Sequence, residues 1–390
     1  MSKNILTLNN ISKSGLCHLE KKGYVCGDAV NEPDAVLVRS ANMHEFSFSD
    51  SVKAVARAGA GVNNIPIDLC SEKGIVVFNT PGANSNAVKE LVLAGLLLSS
   101  RKIVDSIEWV KTVKDEPELL KLIEKGKSRF AGPELQGKTL GVIGLGAIGV
   151  NVANAARHLR MEVLGYDPFL SVESAWHLSR SIKHAESLKE IFSSCDYITV
   201  HVPLLDSTKN MINKDSLSMM KDGVRIMNFA RGGLVDDEDM LEALESGKVA
   251  SYVTDFPSAK LIGQKGVVAI PHLGASTPES EENCAVCAAD ELVDFLENGN
   301  IRNSVNFPNV STARETDCRL CIIHKNIPNM IAKISSAVSG EGFNIENLLN
   351  KAKKDMAYTI VDISLGEKDT DFEKLFNGID GVIRVRVIKD

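Results

Sequence analysis

The sequence predicts an α/β protein with two doubly wound parallel-sheet domains, followed by a smaller module in which helices cover an antiparallel sheet. Two observations support this fold class. Short apolar runs alternate with helical segments from residue 4 to residue 298, which is typical of parallel sheets with helical crossovers. Residues 318–390 instead follow the order βαββαβ of a ferredoxin-like unit.

The first domain is predicted to comprise residues 1–99 and 283–308, with a flavodoxin-like alternation of strands and helices. Strands are expected at 4–8, 35–39, 52–57 and 75–78. A mostly apolar helix at 86–105 is too short and too charged to span a membrane, so it is expected to pack between domains or subunits. The helix that begins at Thr277 is expected to return the chain to this domain.

The second domain, 100–282, is predicted to be Rossmann-like, with six parallel strands. Those strands are expected at 140–143, 163–166, 197–202, 224–228, 251–255 and 267–270. Residues 309–317 are predicted to be a linker, and 318–390 form the ferredoxin-like module.

Composition and charge narrow the class of protein. At 390 residues the chain exceeds one hydrophobic core, and a formal net charge of -7 without a basic tract argues against nucleic acid or an anionic membrane as a partner. The first residues lack the apolar core of a signal peptide, so a cytoplasmic location is expected.

Two Cys-x-x-Cys pairs, Cys284/Cys287 and Cys318/Cys321, raise the alternative of a metal site. Their separation exceeds the usual zinc-ribbon spacing, and the odd offset of the second pair directs its thiols to opposite faces of a strand. Small buried hydrophobic side chains in a reducing compartment are the expected state, and no metal site is predicted.

A glycine-rich turn follows the strand at 140–143. Gly144, Gly146 and Gly149 have the spacing Gly-x-Gly-x-x-Gly, which permits a tight turn, backbone approach to a pyrophosphate and close helix packing. Asp167 ends the next apolar run, where a carboxylate binds a ribose diol and repels a 2′-phosphate. The pattern predicts an NAD site, and an ordinary strand-to-helix turn is the alternative.

Cationic and titratable residues follow other predicted strands. Arg231 and His272 lie just past two strand ends, where they could bind a carboxylate and shuttle a proton during hydride transfer. In the first domain, Arg39 with Gly59 and Gly61 could form an anion site. The alternative is that these residues are structural.

Longer motifs carry a resemblance to a known family. The sequence contains Leu37-Val-Arg-Ser40, Arg57-Ala-Gly-Ala-Gly-Val-Asn-Asn64, Asn228-Phe-Ala-Arg-Gly-Gly233 and Pro271-His-Leu-Gly-Ala-Ser-Thr277. With the glycine-rich turn, these motifs resemble the D-isomer-specific 2-hydroxyacid dehydrogenase family, and within it the branch that acts on phosphoglycerate.

The resemblance implies a set of site residues. Arg231 would bind substrate and His272 would be the general acid/base. The cofactor set would be Gly144, Gly146, Ala147, Ile148, Gly149, Asp167, His201, Pro203, Thr208, Ala230, Asp255 and Gly274. The substrate anion set would be Arg39, Ser40, Gly59, Ala60, Gly61 and Asn84.

One departure concerns the catalytic histidine. The family pairs this histidine with a glutamate a few residues after the aspartate at position 255, but here that position falls at Ala259 or Lys260. Lys260 is therefore a hypothetical proton donor or second substrate cation, and a solvent-facing loop lysine is the alternative.

The carboxyl-terminal module resembles the ACT domain, a small-molecule-binding fold. His324, Asn326 and Asn344 match the positions that bind serine in the phosphoglycerate branch, although Asn329 replaces the usual glycine. The resemblance implies L-serine as a feedback effector, bound across a side-by-side module dimer. A purely structural dimerisation unit is the alternative.

The resemblance therefore implies NAD-dependent oxidation of D-3-phosphoglycerate to 3-phosphohydroxypyruvate, the first step of serine synthesis, by a homodimer or homotetramer. Two alternatives are another D-2-hydroxyacid dehydrogenase, such as a glyoxylate or hydroxypyruvate reductase, and a non-enzymatic NAD-sensing protein like the corepressors that share this fold.

Overall fold

A computed structural model describes residues 3–366 and 370–389. Its first sheet has five parallel strands in the order β2-β1-β3-β4-β5, with two helices. The elements are β1 (Asn4–Leu8), α1 (Lys13–Lys21), β2 (Val25–Gly27), β3 (Ala35–Val38), β4 (Ala54–Arg57), α2 (Ile67–Glu72) and β5 (Val76–Asn79). The continuous apolar run of β3 is buried throughout, as expected for a strand covered on both faces.

The second sheet has seven parallel strands in the order β12-β11-β10-β9-β6-β7-β8. Its strands are β6 (Thr139–Ile143), β7 (Glu162–Tyr166), β8 (Lys183–His184), β9 (Tyr197–Val200), β10 (Val224–Asn228), β11 (Val249–Thr254) and β12 (Val267–Ala269). The prediction of six strands missed β8, because its two exposed residues carry no apolar pattern. The strand order reverses between β6 and β9, which is the doubly wound arrangement that the sequence predicted.

The segments that precede and connect the strands of the second sheet contain helices. They are α3 (Ser85–Arg101), α4 (Ile103–Thr112), α5 (Leu119–Gly126), α6 (Ala147–His158), α7 (Val172–His177), α8 (Leu188–Ser194), α9 (Lys214–Met219) and α10 (Asp237–Glu245), with a 3₁₀ turn at Lys127–Phe130. None of the residues of α4 and α5 is buried.

The chain forms two compact units. The first unit runs to Asn84 and resumes at Pro278, and the second unit is Ser85–Thr277, whereas the sequence placed these boundaries at 99/100 and 282/283. The difference arises because α3 packs into the core of the second unit, where a Cβ at Gly95 would lie 2.9 Å from the Phe229 ring. In the same way α11 (Pro278–Asn298) belongs to the first unit, since Ala285 lies against Gly15 of α1.

The carboxyl-terminal module is an antiparallel sheet in the order β14-β15-β13-β16, which confirms the ferredoxin-like prediction. Its elements are β13 (Cys318–Lys325), α12 (Met330–Gly340), β14 (Ile345–Lys353), β15 (Met356–Ile363), α13 (Phe372–Asn377) and β16 (Val382–Lys389). Cys318 packs in the core that α12 and α13 cover, while Cys321 packs on the opposite face with residues of α11.

Long cationic side chains join this module to the rest of the first unit. Arg319 forms a buried ion pair with Asp362, with Nε 2.6 Å from Oδ1, and also donates to the carbonyl oxygen of Asn298 at 2.8 Å. Lys353 donates to the carbonyl oxygens of Ser304 and Val305, each at 3.0 Å. Several backbone acceptors are thus satisfied by the module rather than by water.

Within the described ranges, no helix is both long enough and apolar enough to cross a membrane.

Candidate active site

The glycine-rich turn connects β6 to α6 in a geometry that requires glycine. Gly144 has a φ of 91°, and a Cβ there would lie 2.6 Å from the carbonyl oxygen of His201. A Cβ at Gly149 would lie 1.9 Å from the carbonyl oxygen of Gly144. Gly146 precedes Ala147 and Ile148 at the start of α6, and a Cβ on it would meet no atom within 4 Å. The turn therefore leaves open space beside Gly146, at a helix start that has no side-chain cap.

Asp167 lies just past β7, beside the glycine-rich turn. Its Oδ2 accepts from the backbone N–H of Leu145 at 2.8 Å, and its Oδ1 accepts from that of Phe169 at 2.8 Å. These bonds hold the carboxylate at the turn, in the place where the sequence predicts a ribose contact.

His201, Pro203 and Thr208 follow β9. His201 Nε2 lies 3.0 Å from Thr199 Oγ1, whereas its buried Nδ1 has no hydrogen-bond partner in the described part of the chain. Burial lowers the pKa of His201 to about 4, so the ring is neutral at physiological pH. Thr208 closes the loop by donating to the carbonyl oxygen of Pro203 at 2.6 Å.

Arg231 follows β10 on a turn that Asn228 organises. The buried Asn228 accepts from the N–H of Ala230 at 3.1 Å and donates to the carbonyl oxygen of Arg231 at 2.9 Å. Arg231 itself is exposed, and its guanidinium donates to the carbonyl oxygen of Ala230 at 2.7 Å. The prediction omitted Asn228 as a positioning residue, although its place at the end of an apolar strand was a usable signal.

Asp255 and His272 lie past β11 and β12, the two strands at one end of the sheet. Asp255 is 1% exposed, and its Oδ2 accepts from the N–H of Gly274 at 3.2 Å. Its Oδ1 has no hydrogen-bond partner among the residues described. Burial raises the pKa of Asp255, and the charge of His272 opposes that shift. His272 is exposed and its ring packs against Phe256, with 4.6 Å between centroids.

Lys260 lies on an exposed loop after β11 and forms an ion pair with Glu238 in the first turn of α10. The hydrogen bond to Glu238 raises the pKa of Lys260. A catalytic role would require Lys260 to leave this exposed ion pair, and that role stays a prediction.

In the first unit, the predicted anion residues gather at the carboxyl ends of β3, β4 and β5. Arg39 follows β3, Gly59 to Gly61 follow β4, and Asn84 follows β5. Asn79 donates to the carbonyl oxygen of Ala60 at 2.6 Å, which ties this loop to β5. Ser40 is held beside Arg39 by Asn9, whose Oδ1 accepts from its backbone N–H at 3.1 Å.

Two residues that the site prediction omitted also lie at this edge. Arg57 ends β4, donates from Nε to the carbonyl oxygen of Arg39 at 3.0 Å, and lies over Gly59, where a Cβ would approach within 2.1 Å of its Nη1. Thr80 is fully buried, and its Oγ1 has no hydrogen-bond partner within residues 3–366 and 370–389. The sequence pattern that could have identified both residues is the one that identified Arg39, namely a polar residue at a strand end near glycines.

The predicted effector residues are not brought together within one module. His324 is 2% exposed, with Nε2 2.9 Å from Thr359 Oγ1 and Nδ1 2.8 Å from the carbonyl oxygen of Lys325. Asn326 follows it and donates to the carbonyl oxygen of Lys354 at 3.0 Å. Asn344 precedes β14 at the opposite end of the sheet, because β13 and β14 both pair antiparallel with β15. A joint site would need Asn344 from a second module.

The second unit fits a dinucleotide. An uncapped helix start faces open space at Gly146. Two buried polar atoms, His201 Nδ1 and Asp255 Oδ1, have no hydrogen-bond partner among the described residues; they lie past β9 and β11, the strands on either side of β10. NAD would supply a pyrophosphate for the helix start and a carboxamide for Asp255.

Comparisons with known proteins agree with this geometry. Residues 93–274 match the family model described as D-isomer specific 2-hydroxyacid dehydrogenase, NAD binding domain. A D-3-phosphoglycerate dehydrogenase of Archaeoglobus fulgidus is 37% identical over 71% of this chain and 52% of its own length. One from Bacillus subtilis is 35% identical over 78% of this chain and 59% of its own length. The chain thus spans about half the length of the curated relatives that it matches.

A solved structure of a related enzyme is also similar to this chain. The NAD-bound 3-phosphoglycerate dehydrogenase of Entamoeba histolytica superposes with a TM-score of 0.61 at 27% identity, covering 78% of this chain and 99% of that chain. The domain at 93–274 is an NAD-binding domain. With its glycine-rich turn, an arginine past β10, a histidine past β12 of the same sheet, and these relatives, the chain belongs to the D-isomer-specific 2-hydroxyacid dehydrogenase family.

Proposed function

We propose that the chain oxidises D-3-phosphoglycerate to 3-phosphohydroxypyruvate with NAD, at the entry to serine synthesis. The observation that supports this most directly is the exposed Arg231 and His272 past strands of an NAD-binding domain, together with two arginines at the strand ends of the first unit.

Arg231 would bind the substrate carboxylate and the oxygen on C2, since a planar guanidinium matches both acceptors. His272 would take the proton of the C2 hydroxyl as the carbonyl forms, and would return it in the reverse direction. NAD, when bound, accepts the hydride from C2.

The anion set of the first unit would bind the phosphate. Arg39 and Arg57 provide two guanidinium groups, and Gly59 to Gly61 provide backbone N–H groups. A substrate without phosphate would lose these contacts.

The test is NADH oxidation with phosphohydroxypyruvate, compared with unphosphorylated hydroxypyruvate. We expect kcat/KM to fall more than about tenfold when the phosphate is absent. Equal kcat/KM for the two substrates would contradict a phosphoglycerate enzyme and favour a reductase of simple hydroxyacids.

We further propose that L-serine binds His324 and Asn326 of one module with Asn344 of another. The support is that β14 forms an edge of the module sheet, so that two modules could pair there. Activity that is unchanged in millimolar serine would contradict this effector role.

The same proposal includes a homodimer or a homotetramer. Helix α4 leaves Ile107 51% and Val110 42% exposed, and α5 leaves Leu120 79% exposed, which is apolar surface for a second copy to cover. Lysine substitutions at Ile107 and Leu120 should shift the sedimentation coefficient towards the monomer. We also propose a cytoplasmic location, which suits the eight free cysteines.

A further inference from the structure

Arg39, the predicted substrate-binding cation of the first unit, forms an ion pair with the carboxylate of Glu281. Its Nη2 lies 2.7 Å from Oε1 of Glu281, and the two side chains are 34% and 42% exposed. Arg39 follows β3, whereas Glu281 lies in the first turn of α11, so the contact joins a strand end to a helix start within the first unit.

The position of the Arg39 backbone does not depend on Glu281. The backbone of Arg39 is held independently, because Arg57 and Asn64 both donate to its carbonyl oxygen. The start of α11 also has a second acidic residue, Glu279, to interact with the helix dipole. Glu281 therefore acts chiefly on the guanidinium of Arg39.

The contact also sets the charge of the anion site. Arg39 lowers the pKa of Glu281, so the carboxylate is ionised at neutral pH. Glu281 then offsets one of the two positive charges that Arg39 and Arg57 bring to this edge of the sheet. An incoming phosphate must share the guanidinium of Arg39 with this carboxylate or displace it.

We propose that Glu281 is a specificity-determining residue: it competes with the substrate phosphate for Arg39 and so sets how strongly the enzyme prefers the phosphorylated substrate. This inference deepens the proposed function and rests on it, because it assumes that Arg39 binds the substrate anion.

The test variant is Glu281→Gln, which keeps the shape and removes the charge. We expect KM for phosphohydroxypyruvate to fall about two- to fivefold, as suits one partly exposed ion pair. The fall should be smaller for hydroxypyruvate, and the change should be confined to KM rather than kcat. Inorganic phosphate should become a stronger competitive inhibitor by a similar factor. In high salt, the variant and the native chain should differ less in KM for phosphohydroxypyruvate and in inhibition by inorganic phosphate.

Two controls isolate the contact. Glu282→Gln removes the same charge from the next, exposed residue and should leave KM unchanged. In an Arg39→Gln background, Glu281→Gln should have no effect, because the group through which it acts is gone. An unchanged or higher KM in Glu281→Gln, or an equal fall in Glu282→Gln, would overturn the proposal.

A binding measurement separates this inference from the proposed function. Calorimetry with 3-phosphoglycerate needs no turnover, so tighter binding by Glu281→Gln would support the role of Glu281 even if the native chain did not reduce phosphohydroxypyruvate. Absence of binding by both proteins would overturn it.

Discussion

At the carboxyl edge of the seven-stranded sheet, polar atoms lack partners: Asp255 Oδ1 and His201 Nδ1 are buried without hydrogen bonds in the described chain, and α6 begins without a cap. At the same edge of the five-stranded sheet, the cations have protein partners, since Arg39 contacts Glu281 and Arg57 donates to a carbonyl oxygen. On the proposed function, the second unit would meet its ligand with unpaired groups, whereas Arg39 of the first unit would exchange its contact with Glu281 for one with the substrate. Changes at unpaired groups should affect activity, and changes at paired groups should affect stability or affinity.

The largest effect is expected at the second unit's edge. His272→Ala should lower kcat about 10²- to 10⁴-fold, because no general acid/base replaces it, while the melting temperature should change little because the ring is exposed. Steady-state NADH oxidation and thermal melts measure the two quantities.

Lys260→Ala is the matched comparison, since Lys260 lies on an exposed loop of the same unit and pairs with Glu238. We expect turnover close to that of the native chain. A loss as large as that of His272→Ala would instead establish Lys260 as a proton donor.

Breaking the buried ion pair Arg319–Asp362 should lower stability but not activity, in contrast to His272→Ala. Arg319→Met leaves the carboxylate of Asp362 buried without its cation, and we expect a loss of about 3–5 kcal/mol in the free energy of unfolding. Denaturant unfolding measures this loss. Kinetics under native conditions should be nearly unchanged, because the pair lies in the carboxyl-terminal module.

The double variant Arg319→Met/Asp362→Leu provides the control, because it removes both charges. It should recover most of the lost stability. If the double variant were as unstable as Arg319→Met, the carbonyl contacts of Arg319 rather than the stranded carboxylate would explain the loss.

Glu291 is an exception to the comparison, because it is a buried carboxylate of the first unit that has no cationic partner among the described residues. Its Oε1 accepts from Asn303 at 2.8 Å, and burial raises its pKa from 4.5 to about 8. The folded state binds this proton more tightly than the unfolded state does. The associated stability is therefore fully present below pH 4.5 and is lost as the pH rises through 8.

Glu291→Gln should remove this dependence. We expect a flatter melting temperature between about pH 5 and pH 8, and a gain on the order of 2 kcal/mol at pH 8. Glu282→Gln, on the exposed side of the same helix, should keep the native pH profile. A gain that did not grow with pH would show that Glu291 is ionised in the folded state.

The sequence was most informative where function depends on the main chain. The spacing of Gly144, Gly146 and Gly149 predicted their turn because local backbone geometry requires those residues. The strand ends likewise placed Arg231 and His272. The contact between Arg39 and Glu281 could not be predicted, because it joins side chains that are distant in sequence and depends on how α11 packs beside the sheet. The position of α3 was missed for the same reason, since an apolar helix does not reveal which core it joins.

The smallest expected effect tests whether the open space in the second unit is a ligand site. Gly146 has a φ of -71°, which alanine adopts readily, and a Cβ there would meet no protein atom within 4 Å. Gly146→Ala should therefore fold with native stability. It should nevertheless weaken NADH binding about tenfold, because the methyl group would occupy the position of the pyrophosphate. Gly149→Ala should instead destabilise the fold, since its Cβ would lie 1.9 Å from a carbonyl oxygen. Fluorescence titration with NADH and thermal melts of both variants measure these effects. Undiminished NADH binding by a well-folded Gly146→Ala would mean that the pyrophosphate does not approach this glycine, and the open space beside it would then need another explanation.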